Sequence, residues 1–329
     1  MREEIEDRIA GAHAGLIESG LVRPVESDDA EERLWLDCDL ASLAENRLGD
    51  RQDPRTLDGA RRADWRARAT TERPMSLRGR SEFERCYWLL EGDEPAGTIS
   101  VATGTLGSGT LRVSSFYLFP THRSRGLGRR ALAGVTDVLA RQDLGVKLDT
   151  CWSWQRTVRF YLRAGMWIYM WKRDLTFCAH PETPPPRLDI GPEEARISVA
   201  HGDEIIALAH ARRRGDALEL HGPPEGLHKD PRLGSAPWQA TSTLSLALAL
   251  AGWPLVRGAE AWKENHFADA GPPEALASRI RIWEALDRHH GFRVETPRIP
   301  GLTYPTWEEL QAQWAREEEE LDLEGDPTG

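Results

Sequence analysis

"PTHRSRGLGRRAL" (residues 120–132) packs four arginines and two glycines into one short stretch. The residues before it, "SGTLRVSSFYLF" (108–119), are rich in β-branched and aromatic side chains and read as a strand. Those after it, "LGRRALAGVTDVLARQ" (127–142), put Leu132, Val135, Val138 and Leu139 at helical spacing. The stretch is therefore a strand-to-helix turn. Amides at a helix start point into one space, glycine lets the backbone approach a ligand, and the helix dipole adds positive potential. This is the physical description of a pyrophosphate cradle, with Arg123, Arg125, Arg129 and Arg130 as added charge. No G-x-x-x-x-G-K-[ST] loop and no G-x-G-x-x-G fingerprint is present, which excludes the two commonest nucleotide loops. An ordinary turn with a charged helix start remains the plain alternative.

Around this turn the elements alternate. "RLWLDCDL" (33–40) reads as a first strand, followed by helices near 41–48 and 57–70. "FERCYWLLEG" (83–92) and "AGTISVATG" (96–104) read as a hairpin, and 108–119 as the next strand. After the helix at 127–142 come a strand at 146–154, a short helix at 155–165 stopped by Gly165, and one last strand at 166–177. The segment "HPETPPPRLDIGPEE" (180–194) has four prolines in its first seven residues and reads as an extended connector. Beyond it, 203–214, 242–252, 272–290 and 303–320 read as helices and 195–202 and 291–297 as strands; Thr306 with Glu309 makes a capping box. No internal repeat of fixed period is read. The expected domains are a helical extension at 1–30, an α/β domain at 31–180, a proline-rich linker at 181–194 and a mainly helical domain at 195–329.

Composition narrows the function classes. The 329 residues carry a net charge of −11, unfavourable for non-specific binding to DNA or anionic membranes. No run of apolar residues is long enough to span a bilayer, and "MREEIEDRIAG" lacks the apolar core of a signal peptide. Cys38, Cys86, Cys151 and Cys178 form no C-x-x-C pair, which fits a reducing cytoplasm and neither a disulfide framework nor a zinc site. No His or carboxylate cluster stands at metal spacing, so no metal is expected. The segment 55–85 holds nine arginines against five acids. It reads as a solvated helix with Arg/acid pairs, with an anionic acceptor or RNA as the sharper alternative. The acidic run near 316–326 reads as a solvated helix end.

The turn resembles the acetyl-CoA-binding motif of the GNAT family of N-acetyltransferases, [RQ]-x-x-G-x-[GA], here Arg123-Ser124-Arg125-Gly126-Leu127-Gly128. "FYLFP" resembles the family's splayed fourth strand. "LDTCWSWQRTVRFYLRAGM" (148–166) resembles its second motif, with Leu148, Asp149, Ser153, Tyr161 and Gly165 in register. The resemblance covers about residues 31–180. It implies a mixed, mostly antiparallel sheet flanked by helices, an α/β (α+β) fold. It also implies acetyl-CoA as co-substrate and acetyl transfer to an amine by direct attack, through a tetrahedral intermediate. The implied cofactor contacts are Leu118, Phe119, Arg123, Ser124, Arg125, Gly126, Leu127, Gly128, Arg129 and Trp154.

Such a reaction needs a donor to the carbonyl oxygen, a base for the amine and an acid for the leaving thiolate. The resemblance assigns the backbone N–H near Leu118 to the first task, Asp149 to the second and Tyr161 to the third. Ser114, Ser115 and Tyr117 are reserve bases. A phenol is protonated at neutral pH and can donate. The plain readings are a core packing role for Tyr161 and a solvent-facing carboxylate for Asp149. Trp154 stands where the family usually has Asn and either lies along the pantetheine arm or fills its slot. Ser124 replaces a usual Gly, Thr157 an Ala and Met166 a Phe. His122 reads as a surface turn residue or phosphate neighbour, and His289-His290 as a complement to a helix dipole. The expected partners are acetyl-CoA and an amine, either a small molecule or a protein or peptide; the homodimer is one expected state. Two other readings stay open: a non-catalytic acyl-CoA-binding scaffold, and a toxin-like enzyme acting on aminoacyl-tRNA.

Overall fold

The computed structural model describes residues 2–26, 29–48, 53–70, 84–103, 109–150, 155–171, 175–214, 217–224, 226–251, 255–256 and 312. The chain divides into two compact units: 1–148 with 179–181, and 149–178 with 182–329.

The first unit begins with α1 (Arg2–Glu18), β1 (Val22–Pro24), α2 (Asp29–Leu48) and α3 (Gly59–Thr70). Then come β2 (Glu84–Glu91), β3 (Glu94–Thr103), β4 (Thr110–Leu118), α4 (Leu127–Arg141) and β5 (Gly145–Thr150), whose last two residues belong to the second unit. The strands lie in the order β1-β2-β3-β4-β5. The first three junctions are antiparallel, with Val22 opposite Leu89, Tyr87 opposite Ile99 and Val101 opposite Val113. β4 and β5 are parallel and pair only over Thr110–Arg112 with Gly145–Lys147. This is the mixed, antiparallel-dominated sheet flanked by helices that the motifs led one to expect.

α2 replaces the expected strand at 33–40. Over eight residues Leu34, Leu36, Cys38 and Leu40 mimic period 2. Trp35 to Cys38 are buried in succession and Leu40, Ala41 and Ala44 with them, which a helix covered on several sides allows, and the acids Asp29, Glu31 and Glu32 suit a helix N-terminus. The helix builds the core: Trp35, Leu36, Cys38, Leu40, Ala41 and Ala44 pack with Trp65, Trp88, Tyr117 and Phe119. The buried indole N–H of Trp35 donates to the Tyr87 carbonyl at 2.8 Å. The buried Asp37 carboxylate accepts from Arg66 of α3 through both oxygens at 2.6 Å. β1 was not read from sequence, being only three residues long.

The second unit holds α5 (Gln155–Arg163) and an antiparallel pair, β6 (Trp167–Trp171) and β7 (Leu175–Ala179, its last residue in the first unit). The single strand expected at 166–177 is thus two, β6 and β7, paired antiparallel. Next come β8 (Arg187–Ile190), β9 (Glu194–His201), β10 (Glu204–Arg214), β11 (Ala217–His221), α6 (Ala236–Leu250) and β12 (Leu255–Val256), with sheet order β12-β11-β10-β9-β8. β8 lies inside the proline-rich segment.

The helix expected at 203–214 is β10. Its alanines suit a helix, but Ile206 and Leu208 are buried while Ile205 is 55 % exposed, and the strand is bonded on both sides, to β9 and β11. The strand at 195–202 and the helix at 242–252 are present. The described part of this region therefore carries more strand than the expected mainly helical domain. The helices expected at 272–290 and 303–320, the strand at 291–297, His289 and His290 lie outside the described residues. Every side chain of α6 described from Gln239 to Leu248 is buried, as suits a helix covered on all sides. It packs on β9, β10 and β11 and on α5 and β6. Thr243 Oγ1 accepts from the Ile168 amide at 3.1 Å, and Arg159 Nη2 donates to the Leu250 carbonyl at 2.7 Å.

Candidate functional site

The first unit contains the turn from which the sequence reading started. β4 carries a bulge: Thr98 pairs with Tyr117 and Ser100 with Ser114, so Ser115 and Phe116 together oppose Ile99. Ser115 takes φ 52°, and its carbonyl accepts from Thr98 Oγ1 at 2.9 Å. Beside it Ser114 Oγ meets Ser100 Oγ at 2.8 Å and donates to Glu84 Oε1 at 3.4 Å. Past the three paired residues, Thr110–Arg112, the register between β4 and β5 ends. On the other edge Leu118 pairs with Gly97, where a Cβ would collide with the Tyr117 carbonyl.

β4 ends at the buried Phe119, and Pro120–His122 make one 3-10 turn. The backbone then reverses at Ser124 (φ 64°) and Gly126 (φ 76°, ψ 0°), and α4 starts at Leu127. Ser124 accepts the left-handed conformation that the family fills with glycine. The first return hydrogen bond of the helix runs from Arg130 N to Gly126 O at 3.1 Å. The amides of Gly126, Leu127, Gly128 and Arg129 therefore have no partner within the helix. Leu127 and Gly128 are buried against the core, which fixes the axis of the helix behind these amides.

The arginines divide into two groups. Arg123 faces the protein: Nε donates to the Leu118 carbonyl at 2.7 Å, the two Nη atoms bond Glu45 of α2 at 2.6 Å, and the guanidinium lies 4.9 Å over the Tyr117 ring. Arg125, Arg129 and Arg130 are exposed at the mouth of the turn. Arg125 bonds the Thr121 carbonyl at 2.6 Å, and Arg130 bonds the Arg125 carbonyl at 2.9 Å. His122 bonds Glu91 at 2.8 Å and meets the edge of Phe119. That hydrogen bond, with Arg125 and Arg130 nearby, holds the Glu91 carboxyl below its ordinary range.

The remaining expected residues belong to the second unit. Asp149, at the end of β5, accepts from Thr176 Oγ1 of β7 at 2.6 Å. Tyr161, on α5, is buried, its ring 5.4 Å from Phe160 and 5.2 Å from Phe177. Burial raises its phenol well above the ordinary value, and the Asp149 carboxylate adds to the rise. Tyr161 and Asp149 are thus brought into one electrostatic neighbourhood. Trp154 and Ser153 lie outside the described residues.

Sequence reasoning missed Glu45 and Arg55. Arg55 lies 3.5 Å over the Phe119 ring, bonds Asp53, and donates to the Pro95 carbonyl at 2.8 Å. The signal was the Asp53-Pro54-Arg55 turn, in which Asp53 accepts from the Arg55 amide. In the arginine-rich segment, Arg62 bonds the Pro54 and Leu57 carbonyls and Arg66 bonds Asp37. Among the described residues no group of three His, Cys, Asp or Glu side chains could hold a metal ion. Among them, too, no helix is long and apolar enough to cross a membrane.

Residues 52–166 match the family model described as Acetyltransferase (GNAT) family. No curated protein matches the chain. Solved structures similar to it include a GNAT-family acetyltransferase from Staphylococcus aureus Mu50, at 13 % identity and TM-score 0.32, covering 49 % of this chain and 99 % of that one. PaiA N-acetyltransferase from Thermoplasma acidophilum, in complex with coenzyme A, has 13 % identity and TM-score 0.34 over 48 % of this chain and 97 % of its own. Spermidine N-acetyltransferase from Vibrio cholerae, in complex with CoA and spermine, has 9 % identity and TM-score 0.34 over 49 % and 94 %. The family model identifies what the turn and strand pattern define: residues 52–166 are a GNAT acetyltransferase domain.

Proposed function

We propose that this domain binds acetyl-CoA at the turn 123–129 and transfers its acetyl group to an amine. The observation that carries the reading is the set of four amides, Gly126 to Arg129, left without helical partners at the start of α4 and ringed by exposed Arg125, Arg129 and Arg130. Four N–H donors and three cations suit a pyrophosphate, which is anionic and rich in acceptors. Ser124, Leu127 and Gly128 shape the turn, and Arg123 supports it from behind. Leu118 and Phe119 close the strand that leads into this turn, and on the strength of the motif they meet the amide-bearing pantetheine arm.

Acetyl-CoA supplies a thioester carbonyl as electrophile. Attack by a neutral amine gives a tetrahedral intermediate, whose oxyanion a β4 backbone N–H near Leu118 would stabilise. On the strength of the motif, Tyr161 is the proton donor to the thiolate and Asp149 the base; its raised pKa keeps Tyr161 protonated throughout the neutral range. Trp154 is kept as a pantetheine contact. We take the domain to run from β1 to residue 180, and a second domain to follow that includes β8, within the expected 181–194 connector, and residues 195–329. The amine is a small molecule, protein or peptide.

The decisive experiment is calorimetric titration with CoA of the wild type and of Gly126→Glu. A side chain at φ 76° carrying negative charge should abolish binding. Unchanged affinity in a folded Gly126→Glu variant would end the pyrophosphate reading. Mass-spectrometric turnover of acetyl-CoA against pooled amines and peptides then separates an enzyme from a CoA-binding scaffold.

A further inference from the structure

Strands β8–β12 with α6 repeat the plan of β1–β5 with α4. In each set five strands lie across the sheet in chain order. In each, the first three junctions are antiparallel and the last is parallel. One helix of 15 residues joins each parallel pair. Both central hairpins turn on Gly-Asp followed by Glu: Gly92-Asp93-Glu94, with φ 64° at the glycine, and Gly202-Asp203-Glu204, with φ 59°. The spacing is nearly constant. β2 begins at 84 and β9 at 194, β3 at 94 and β10 at 204, α4 at 127 and α6 at 236, β5 at 145 and β12 at 255, giving offsets of 110, 110, 109 and 110. β4 and the shorter β11 begin 107 apart, at 110 and 217; the edge strands β1 and β8 fall outside the spacing.

The helix start is where the two sets part. In the first set the amides of Gly126 to Arg129 have no partner within the helix. In the second, the residues before and into α6 read Gly234-Ser235-Ala236-Pro237-Trp238. Pro237 has no N–H. The Trp238 amide donates to the Ser235 carbonyl at 3.1 Å, and the Ser235 amide to Thr183 Oγ1 at 3.3 Å. Ser235 Oγ meets the same Thr183 hydroxyl at 3.2 Å. A Cβ on Gly234 would stand 2.6 Å from Thr183 Oγ1 and 2.7 Å from the Glu182 carbonyl, so residues 182–183 lie directly against this turn. The one arginine here, Arg232, is bonded to Asp230 and Glu204. What α6 offers instead is packing: Thr243 holds β6 and the Leu250 carbonyl takes Arg159 of α5.

We propose that residues 187–256 are a second copy of the fold formed by 22–150, and that this copy has lost the cradle, so that the chain binds a single equivalent of CoA, in the first copy. The inference rests on the CoA reading above. The test is calorimetric stoichiometry on the full chain with CoA as titrant, for wild type, Gly126→Glu and the surface variant Arg129→Glu. The expected result is one equivalent, lost in Gly126→Glu and weakened about tenfold in Arg129→Glu. If Gly126→Glu lacks the wild-type circular dichroism, Arg129→Glu decides. Two equivalents, or one whose affinity neither variant changes, would overturn the single-cradle inference while leaving CoA binding in place. No binding to wild type would overturn both.

Discussion

At Arg123 the guanidinium is shared among the Leu118 carbonyl, the Glu45 carboxylate and the face of Tyr117, with little exposure to water. Removing it takes away the cation that both oxygens of the mostly buried Glu45 carboxylate bond. Arg123→Ala should cost about 2–3 kcal/mol in urea denaturation, below the usual cost of breaking a fully buried pair. Arg129→Ala, exposed and without an ion pair among the described residues, should leave stability unchanged and weaken CoA binding. Equal stability losses in the two variants would show that Arg123 is no brace. For Tyr161→Phe the expectation is a kcat lowered by about 10²–10⁴-fold with CoA affinity intact, because the hydroxyl matters once thiolate develops. A kcat within about threefold of wild type would leave Tyr161 as a core residue, the role its Phe160 and Phe177 contacts already give it. The sequence named the arginines of the turn but could not tell which faces the protein. That depends on Glu45, 78 residues earlier, and a one-dimensional pattern carries no such distance.

Among the elements, α2 and β10 were misread for the same reason. Each is a short apolar window in which periods 2 and 3.6 fit equally well, and packing decided: α2 by laying Trp35 into the core, β10 by bonding on both edges. The elements around the turn were legible because glycine, proline and a clear helical stripe mark their ends. Trp35→Ala should destabilise the protein by about 3–5 kcal/mol, since it empties a fully buried site and removes the indole's hydrogen bond to the Tyr87 carbonyl. A loss under 1 kcal/mol by chemical denaturation would mean that the core does not rest on α2. The internal repeat escaped the sequence reading because its copies share spacing and one Gly-Asp-Glu turn, and little else that a self-comparison detects.

For the whole molecule, the buried phenols set a limit on the alkaline side. Burial pushes Tyr87 and Tyr117 up to about 12, and Tyr161 and the Cys38 thiol rise for the same reason. In the unfolded chain a tyrosine releases its proton near ~10. The folded state binds these protons more tightly, so their stabilisation is complete below about pH 10 and is lost as pH climbs toward 12. The urea midpoint should fall across that window, and Tyr117→Phe should flatten the fall; a flat profile up to pH 12 would show the phenols to be solvated. The second copy has a further consequence, for biosynthesis. α5 and the β6–β7 hairpin belong with residues that follow the proline-rich segment, and their support, α6, begins at Ala236. On the ribosome the stretch carrying Tyr161 must wait until α6 has left the exit tunnel, which at ~5–20 residues per second is an interval of seconds. During it α5 and β6, which carry the buried Val158, Leu162 and Ile168, lack the helix that packs on them. Chains that end near residue 185 and are released from the ribosome should therefore be captured by chaperones, and released chains that end beyond residue 256 should escape them.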